Sequence, residues 1–290
     1  MTDVVSYALE GAVGVIRVNN PPVNALSHGV RAGIADALSA AAEDASEAVV
    51  ILCEGRTFIA GADITEFGKP PKAPYLPDLL NQLDNHPKLT VAAIHGTALG
   101  GGFETALSCN YRVALASAKV GLPEVKLGLL PGAGGTQRTP RLAGVATSIE
   151  LMTSGNPIPA EAALQKGLID HIAKDNLAEE AIAYAERLVA DQAPLRQASA
   201  ITLALDEADR ALISKARSTL AKKTRGESAP QRIIDCIEAS AELDFDAGLK
   251  RERELFMACM EDPQSAALRH MFFAERAAAK IDGIDTSVEP

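Results

Sequence analysis

Three consecutive glycines, Gly100, Gly101 and Gly102, constrain the local fold of this chain more than any other feature of its sequence. Glycine adopts backbone angles that other residues rarely reach, and without a Cβ atom it lets another group approach the main-chain N–H closely. The segment that follows, 103–108, is predicted to be helical, which places Glu104 in a first helical turn. There the positive end of the helix dipole favours an ionised carboxylate. The sequence therefore predicts a tight turn with an exposed backbone donor beside a carboxylate that can act as a base.

A second carboxylate, Glu124, and the glycine-rich loop 131–138 follow this triplet along the chain. Two carboxylates and a donor-rich backbone are what acid/base chemistry beside a carbonyl group requires. The alternative is that the triplet is only a tight turn and that both glutamates are solvated. The loop has neither the G-x-G-x-x-G spacing of a dinucleotide site nor the lysine of a P-loop, so nucleotide binding is disfavoured.

Four blocks of this sequence resemble the enoyl-CoA hydratase/isomerase family, the crotonases. In the order and spacing of that family, the blocks are Phe58–Ile64, Ala98–Glu104, Leu122–Val125 and Pro131–Arg138. The resemblance implies that the N–H groups of Ala62 and Gly101 hold the oxygen of a thioester carbonyl. It also implies that Glu104 activates a water molecule and that Glu124 gives a proton to C2 of the acyl chain.

The resemblance further implies backbone contacts with the coenzyme A part of a substrate. The residues in question are Val23, Ala25, Leu26, Asp63 and Ile64. Taken alone, these positions would fit a turn and part of a core equally well. Phe103 is bulkier than the residue often found before the glutamate in the family, so it either narrows the acyl pocket or fills the core.

The function implied by the resemblance is that of an enoyl-CoA hydratase, which adds water to a trans-2-enoyl-CoA and yields a 3-hydroxyacyl-CoA in fatty-acid β-oxidation. Δ3-Δ2-enoyl-CoA isomerisation is the implied second activity. We expect no metal and no redox cofactor, because coenzyme A is part of the substrate. Two alternatives stay open, namely another isomerase, hydrolase or decarboxylase that acts on an acyl-CoA, and a non-catalytic acyl-CoA-binding or scaffolding module.

Short β-branched runs alternate with helical spacing up to about residue 190, which predicts an α/β fold. The pattern opens with a hairpin over 4–18 and continues with a helix over 28–42 behind a serine cap at Ser27. The resemblance, rather than the periodicity, implies that these units form a crotonase-like spiral of ββα units followed by a C-terminal helical region.

The last hundred or so residues have helical spacing from 196–221 to 263–281 and carry no catalytic motif. They resemble the segment that links the hydratase half of multifunctional fatty-acid oxidation enzymes to a 3-hydroxyacyl-CoA dehydrogenase. We therefore expect a catalytic domain over 1–195 and a helical extension over 196–290, in either a stand-alone protein or a fragment of a longer enzyme. The length also allows one large domain. A second copy of the chain or a dehydrogenase is the expected partner.

The net charge of −10 opposes nonspecific attraction to nucleic acids and anionic membranes, so neither is expected as a partner. The four cysteines, Cys53, Cys109, Cys236 and Cys259, lack the paired spacing of a disulfide scaffold or a zinc site. No signal peptide is visible at the start, and no apolar run is long enough to span a membrane. We therefore expect a soluble protein located in the cytoplasm.

Overall fold

The computed structural model describes residues 3–66, 69–224 and 226–278. Within these ranges, six strands form a sheet in the spatial order β1 (Val5–Glu10), β2 (Val13–Val18), β3 (Ala48–Cys53), β4 (Leu89–Ile94), β6 (Tyr111–Leu115) and β9 (His171–Ala173). Three short strands form a second sheet in the order β5 (Thr97–Leu99), β7 (Lys119–Gly121) and β8 (Ile158–Pro159). In the first sheet, β1 is antiparallel to β2 and the later neighbours are parallel. The predicted opening hairpin is thereby confirmed.

The central strands are apolar along their whole length because both faces of the first sheet are covered. Every residue of β4 is buried, and β3 is buried from Ala48 to Leu52. Parallel sheets covered on both faces have such continuous apolar runs in place of an alternating pattern. One hydrophobic cluster lies on each face of this sheet.

Helices cover these faces. Their bounds in the described residues are α1 (His28–Glu43), α2 (Leu76–Asp84), α3 (Gly101–Ser108), α4 (Gly135–Ser154), α5 (Ala160–Gln165), α6 (Leu177–Ala190), α7 (Glu207–Lys223), α8 (Ala229–Glu242), α9 (Phe245–Met260) and α10 (Pro263–Ala278). Ser27 caps α1 by accepting a hydrogen bond from the Val30 N–H at 3.4 Å. The predicted helix over 28–42 is confirmed, with its apolar face packed on β1 and β2.

From β4 to β7 the strands of the two sheets alternate along the chain. β5 follows β4 and leads into α3, whereas β7 follows β6 and leads into a short 3₁₀ helix, Glu124–Leu127. Leu99, the last residue of β5, pairs with Gly121 of β7. The glycine triplet and Glu124 therefore emerge side by side. The prediction of an α/β fold with a helical C-terminal region is confirmed.

The predicted helix over 196–221 is wrong in its first half. The chain forms a single 3₁₀ turn at Ala198–Ala200 and is then non-helical until α7 begins at Glu207. Tertiary contacts hold this segment, because Arg196 pairs with Asp170 at 2.7 Å and the Ile201 carbonyl accepts a hydrogen bond from Arg141. Such contacts override local helix propensity.

Helix α4 begins inside the glycine-rich loop. It bends at Gly144, whose φ of 77° and ψ of 172° are not helical. The last predicted helix, 263–281, extends at least to Ala278 as α10, and residues 279–281 lie outside the described residues.

The helices after residue 195 share a core with the first part of the chain. Ile213, Ile233 and Leu255 belong to the same buried cluster as Phe103 and Leu130. The division into 1–195 and 196–290 as separate folding units stays a prediction. None of the described helices is both long and apolar enough to cross a bilayer.

Candidate active site

Glu104 lies in the first turn of α3, as predicted, and its side chain is buried with the residue only 2% exposed. Its Oε1 atom accepts hydrogen bonds from the N–H groups of Ala133 and Gly135, both at 2.8 Å. A Cβ atom at position 135 would lie 2.8 Å from this same oxygen, so only glycine fits beneath the carboxylate. The glycine-rich loop therefore binds the carboxylate of Glu104 with its own backbone.

Two opposing effects set the pKa of Glu104. Burial raises the pKa above its ordinary value, while the N–H groups of Ala133 and Gly135 and the charge of Arg138 act to lower it. Arg138 is itself fully buried, with its guanidinium donating to the Ala133 carbonyl at 3.1 Å and lying 3.8 Å from the Asp84 carboxylate. These donors favour the ionised form of Glu104 in a site that would otherwise keep it neutral.

Glu124 begins the 3₁₀ helix after β7, and its Oε2 atom is buried with no hydrogen-bond partner among the described residues. A Cβ atom at Gly100 would lie 2.7 Å from the other oxygen, Oε1. Burial, and next the negative charge of Glu104, raise the pKa of Glu124 well above its ordinary range. Glu104 accepts hydrogen bonds from two backbone N–H groups and Glu124 from its own, so the pKa of Glu124 is raised further and Glu124 is the carboxyl group assigned the proton.

Each glycine of the triplet has a different close neighbour. Gly100 has a φ of 51° and faces Glu124, whereas a Cβ atom at Gly102 would lie 2.1 Å from the Ile59 carbonyl oxygen. At Gly101 a Cβ atom would lie 2.9 Å from a methyl group of Leu76. Because these glycines lack a Cβ atom, the start of α3, the carboxylate of Glu124 and the backbone of Ile59 can pack closely together.

Ala62 and Gly101 are brought together, although they are far apart in sequence. A Cβ atom at Gly101 would lie 3.6 Å from the backbone nitrogen of Ala62. Gly101 is the first residue of α3, where an N–H has no partner within the helix. Neither N–H donates to any residue that the structure describes. Two unused backbone donors thus lie next to each other beside the turn that carries Glu104.

The residues predicted to contact coenzyme A form one backbone ladder with the Ala62 segment. The Ala60 N–H donates to the Val23 carbonyl at 3.1 Å, and the Leu26 N–H donates to the Gly61 carbonyl at 2.9 Å. Of the other predicted contacts, Ala25 lies between Val23 and Leu26, and Asp63 and Ile64 follow Ala62 along the chain. The Ala25 carbonyl accepts from the Asn20 side chain, the Asp63 carboxylate accepts from the Thr65 N–H, and the backbone of Ile64 begins a 3₁₀ turn.

Sequence reasoning missed a third buried glutamate, Glu252 of α9, which is 1% exposed. Its Oε1 accepts from the Gly134 N–H at 2.7 Å, and its Oε2 accepts from the Thr136 N–H at 3.0 Å and the Thr136 hydroxyl at 2.5 Å. One signal was present, because Glu252 lies on the buried face of α9 together with Gly248, Leu255 and Cys259. A carboxylate on such a helical stripe needs a partner.

The sequence model of the enoyl-CoA hydratase/isomerase family matches residues 8–259. The chain therefore belongs to the enoyl-CoA hydratase/isomerase family, as predicted. It is 41% identical to the peroxisomal bifunctional enzyme of Danio rerio over 270 residues, which cover 93% of this chain, and 40% identical to that of Homo sapiens over 278 residues, which cover 94%. The alignments span 38% of the length of each of these relatives.

Solved structures agree in fold. An enoyl-CoA hydratase/isomerase from Pseudoalteromonas atlantica is 25% identical with a TM-score of 0.70, covering 94% of this chain and 98% of its own. An enoyl-CoA hydratase subunit from Geobacillus kaustophilus is 29% identical with a TM-score of 0.62, covering 94% and 96%.

The cytoplasmic location predicted from the sequence is contradicted by the peroxisomal name of the curated relatives. The prediction relied on reduced cysteines and on the lack of an apolar signal. Peroxisomal import is directed by a receptor-read address and leaves no mark in apolar runs or cysteine spacing.

Proposed function

We propose that the chain is an enoyl-CoA hydratase that adds water to the double bond of a trans-2-enoyl-CoA. One observation carries the proposal. Two buried glutamates in unlike environments, Glu104 with backbone donors and Glu124 without a partner at Oε2, lie beside the unused N–H groups of Ala62 and Gly101. This set supplies an acid, a base and two donors for an oxyanion.

The two backbone donors act on the thioester oxygen. As hydroxide adds to C3, the electron pair of the double bond moves toward C1, and negative charge develops on that oxygen. Two preorganised N–H groups stabilise this enolate by roughly 3 to 4 kcal/mol each. Ala62 and Gly101 therefore form the proposed oxyanion hole.

The glutamates divide the proton transfers between them. Glu104, the carboxylate held by Ala133 and Gly135, accepts a proton from water while the water oxygen bonds to C3. Glu124 then gives its proton to C2, and the enolate electrons form the new C–H bond. One proton passed from Glu104 to Glu124 through the next water restores both groups. The net change is the addition of one water without oxidation or reduction, so the proposed reaction uses no cofactor beyond the coenzyme A of its substrate.

A second activity, isomerisation of a 3-enoyl-CoA to the 2-enoyl isomer, is open to Glu124 in its ionised form. Its Oε2 atom has no hydrogen bond to break among the described residues, so the ionised carboxylate can take a proton from C2 and return it at C4. Glu104 has no required part in that shuttle. The two activities therefore differ in their dependence on the two glutamates.

The names of the curated relatives support a proposal on where this chain acts and with which partner. The curated relatives are named peroxisomal and bifunctional, and the alignments span 38% of their length. We propose that this chain acts in the peroxisome and that its partner, besides the acyl-CoA substrate, is a dehydrogenase segment. Substrate contacts from Val23, Ala25, Leu26, Asp63 and Ile64 to coenzyme A belong to the same proposal.

Crotonyl-CoA tests the hydratase proposal, because loss of enoyl absorbance and gain of one water in product mass report the reaction directly. Glu104→Gln and Glu124→Gln should each lower turnover by about 10²- to 10⁴-fold, since each removes a proton-transfer group while keeping its shape. Glu150→Gln is the matched control, because Glu150 is exposed and, within the described part of the chain, its one ion pair is with Lys166. Full activity in either active-site variant overturns its assignment.

Two further outcomes separate the alternatives. Binding of an acyl-CoA without turnover by the unaltered protein would identify a non-catalytic binding module. With a 3-enoyl-CoA as substrate, Glu124→Gln should abolish isomerisation while Glu104→Gln retains most of it; loss of both in equal measure overturns the proposed division of roles.

A further inference from the structure

The loop from Ala133 to Thr136 lies between two buried glutamates. Alternate N–H groups point to opposite sides, so that Ala133 and Gly135 donate to Glu104 while Gly134 and Thr136 donate to Glu252. All four distances lie between 2.7 and 3.0 Å. Since consecutive N–H groups belong to one short backbone, their directions are not independent. The orientation that serves Glu104 is fixed together with the orientation that serves Glu252.

Helix α9 also fixes the loop by close packing. A Cβ atom at Gly132 would lie 2.4 Å from the Phe256 ring, and one at Gly248 would lie 2.2 Å from the side-chain oxygen of Gln137. The Gln137 amide in turn donates to the Thr136 hydroxyl at 3.0 Å, the same hydroxyl that donates to Glu252. The position of the loop is therefore tied to the position of α9.

We propose that Glu252 is a positioning residue for Glu104: by binding the N–H groups of Gly134 and Thr136, it holds those of Ala133 and Gly135 at the carboxylate of the proposed base. The inference rests on the proposed role of Glu104 in hydration. It assigns a part in the active site to the helical region after residue 195, for which the sequence predicted none.

The protonation state of Glu252 suits this role. Titratable groups face it from three other elements and from the 3₁₀ helix: Glu104 on α3, Arg138 on α4, Cys236 on α8 and Glu124. Burial, and next the charge of Glu104, raise the pKa of Glu252 to about 8. At neutral pH the group is mostly uncharged. It then orients the loop without placing a second negative charge beside the base.

The test compares substitutions on α9 at a temperature well below every melting midpoint, with crotonyl-CoA as substrate. Glu252→Met keeps the volume but removes both acceptor oxygens, and turnover should fall by about 10²-fold with little change in KM, the scale expected for a misplaced catalytic group. Glu252→Gln retains one acceptor and resembles the protonated carboxyl, so it should lose less. A smaller loss of turnover in Glu252→Gln than in Glu252→Met would indicate that the hydrogen-bond acceptor at this position aligns the loop.

Two controls lie on the same helix. Glu254→Gln makes the same chemical change at an exposed residue, which pairs only with Arg251 among the described residues, and turnover should match the unaltered protein. Leu255→Ala removes buried apolar volume but no hydrogen-bond acceptor, so it should lower the melting temperature but leave turnover unchanged. If Leu255→Ala loses as much turnover as Glu252→Met, or if a folded Glu252→Met keeps full turnover, the proposal is overturned.

A second readout does not depend on turnover. The ¹³C signal of the Glu104 carboxyl, assigned by its loss in Glu104→Gln, reports the pKa of that group. In Glu252→Met this pKa should rise, because the misaligned N–H groups of Ala133 and Gly135 stabilise the ionised form less well. An unchanged pKa overturns the positioning role. If the unaltered protein fails to hydrate crotonyl-CoA, the proposed function fails, and the titration still decides the structural part of this inference.

Discussion

The Ser265 hydroxyl donates a hydrogen bond to the Leu127 carbonyl at 2.8 Å, which fastens α10 to the 3₁₀ helix that Glu124 begins. Ser265 is fully buried, and the neighbouring Gly128 leaves no room for a Cβ atom, which would lie 2.8 Å from the Ser265 Cα atom. Helix α10 thus holds the 3₁₀ helix that carries Glu124, and helix α9 holds the loop that binds Glu104.

Ser265→Ala should therefore destabilise the fold by about 1 kcal/mol, because the Leu127 carbonyl loses its buried donor. Urea unfolding measures the change. Ser218→Ala is the matched control: its hydroxyl bonds to the Ser214 carbonyl at an exposed site, where replacement should cost under about 0.5 kcal/mol. Equal costs at the two serines would contradict a fastening role for Ser265.

Gly101→Pro should lower hydratase turnover by at least about 10²-fold relative to Gly101→Ala, because proline deletes one donor of the proposed oxyanion hole. Proline is tolerated at the first position of a helix. Alanine introduces the same crowding against Leu76 and Leu26 but keeps the N–H, so the pair isolates the hydrogen bond. Similar turnover in both folded variants would show that this N–H is not a donor to the substrate.

Stability should fall as pH rises from about 5 to about 8. Glu104, Glu124 and Glu252 all have raised pKa values, so the folded protein holds protons that the unfolded chain has already released. The stabilisation is complete below the ordinary glutamate pKa and is lost as pH passes the folded value. For Glu252 that loss extends to about pH 8 and amounts to at most about 5 kcal/mol.

Urea unfolding at several pH values checks this slope, and Glu252→Gln should flatten it. Asp44 contributes with the opposite sign, because the hydroxyl of Ser46 and other donors hold its pKa below the ordinary value, against the effect of its burial. Its stabilisation is lost only on acidification below the ordinary aspartate pKa, so it does not mask the predicted decline. Stability that increased between pH 5 and 8 would contradict the assignment of protonated buried glutamates.

Ending the chain near residue 195 should cause aggregation or a lower melting temperature. The truncation removes Ile213, Ile233 and Leu255 from the shared core and exposes the apolar surfaces that they cover. A shorter truncation after residue 261 keeps α9 and is the comparison for the loss of α10 alone. A soluble protein of unchanged stability after truncation at 195 would show that the helical region folds independently.

The sequence predicted those parts of the site that depend on contiguous residues. Glu104 in a first helical turn and the turn at Gly100 follow from local rules, because glycine and helix dipoles act over a few residues. The adjacency of Ala62 and Gly101 could be named only from the family resemblance, since it depends on isolated bridges that pair Ile59 with Ala98 and Ala62 with Leu26. Spacing alone gives no register between distant strands.

Other features could not be predicted because tertiary contacts decide them. The segment 196–206 has a helical pattern in its sequence, yet Arg196 pairs with Asp170 and the Ile201 carbonyl accepts a hydrogen bond from Arg141. Glu252 has ordinary helical spacing, and nothing in the sequence indicates which backbone donors it meets. Its partners Gly134 and Thr136 lie more than a hundred residues earlier in the chain.

That long separation sets an order of events during synthesis. Ribosomes add about 5 to 20 residues per second, so Glu252 is made roughly 7 to 30 s after Glu104. Until then the N–H groups of Gly134 and Thr136 face water instead of the Glu252 carboxylate. A protein that needs α9 to align a group made early reaches its first turnover only after α9 has left the ribosome, and its exposed core needs protection until then.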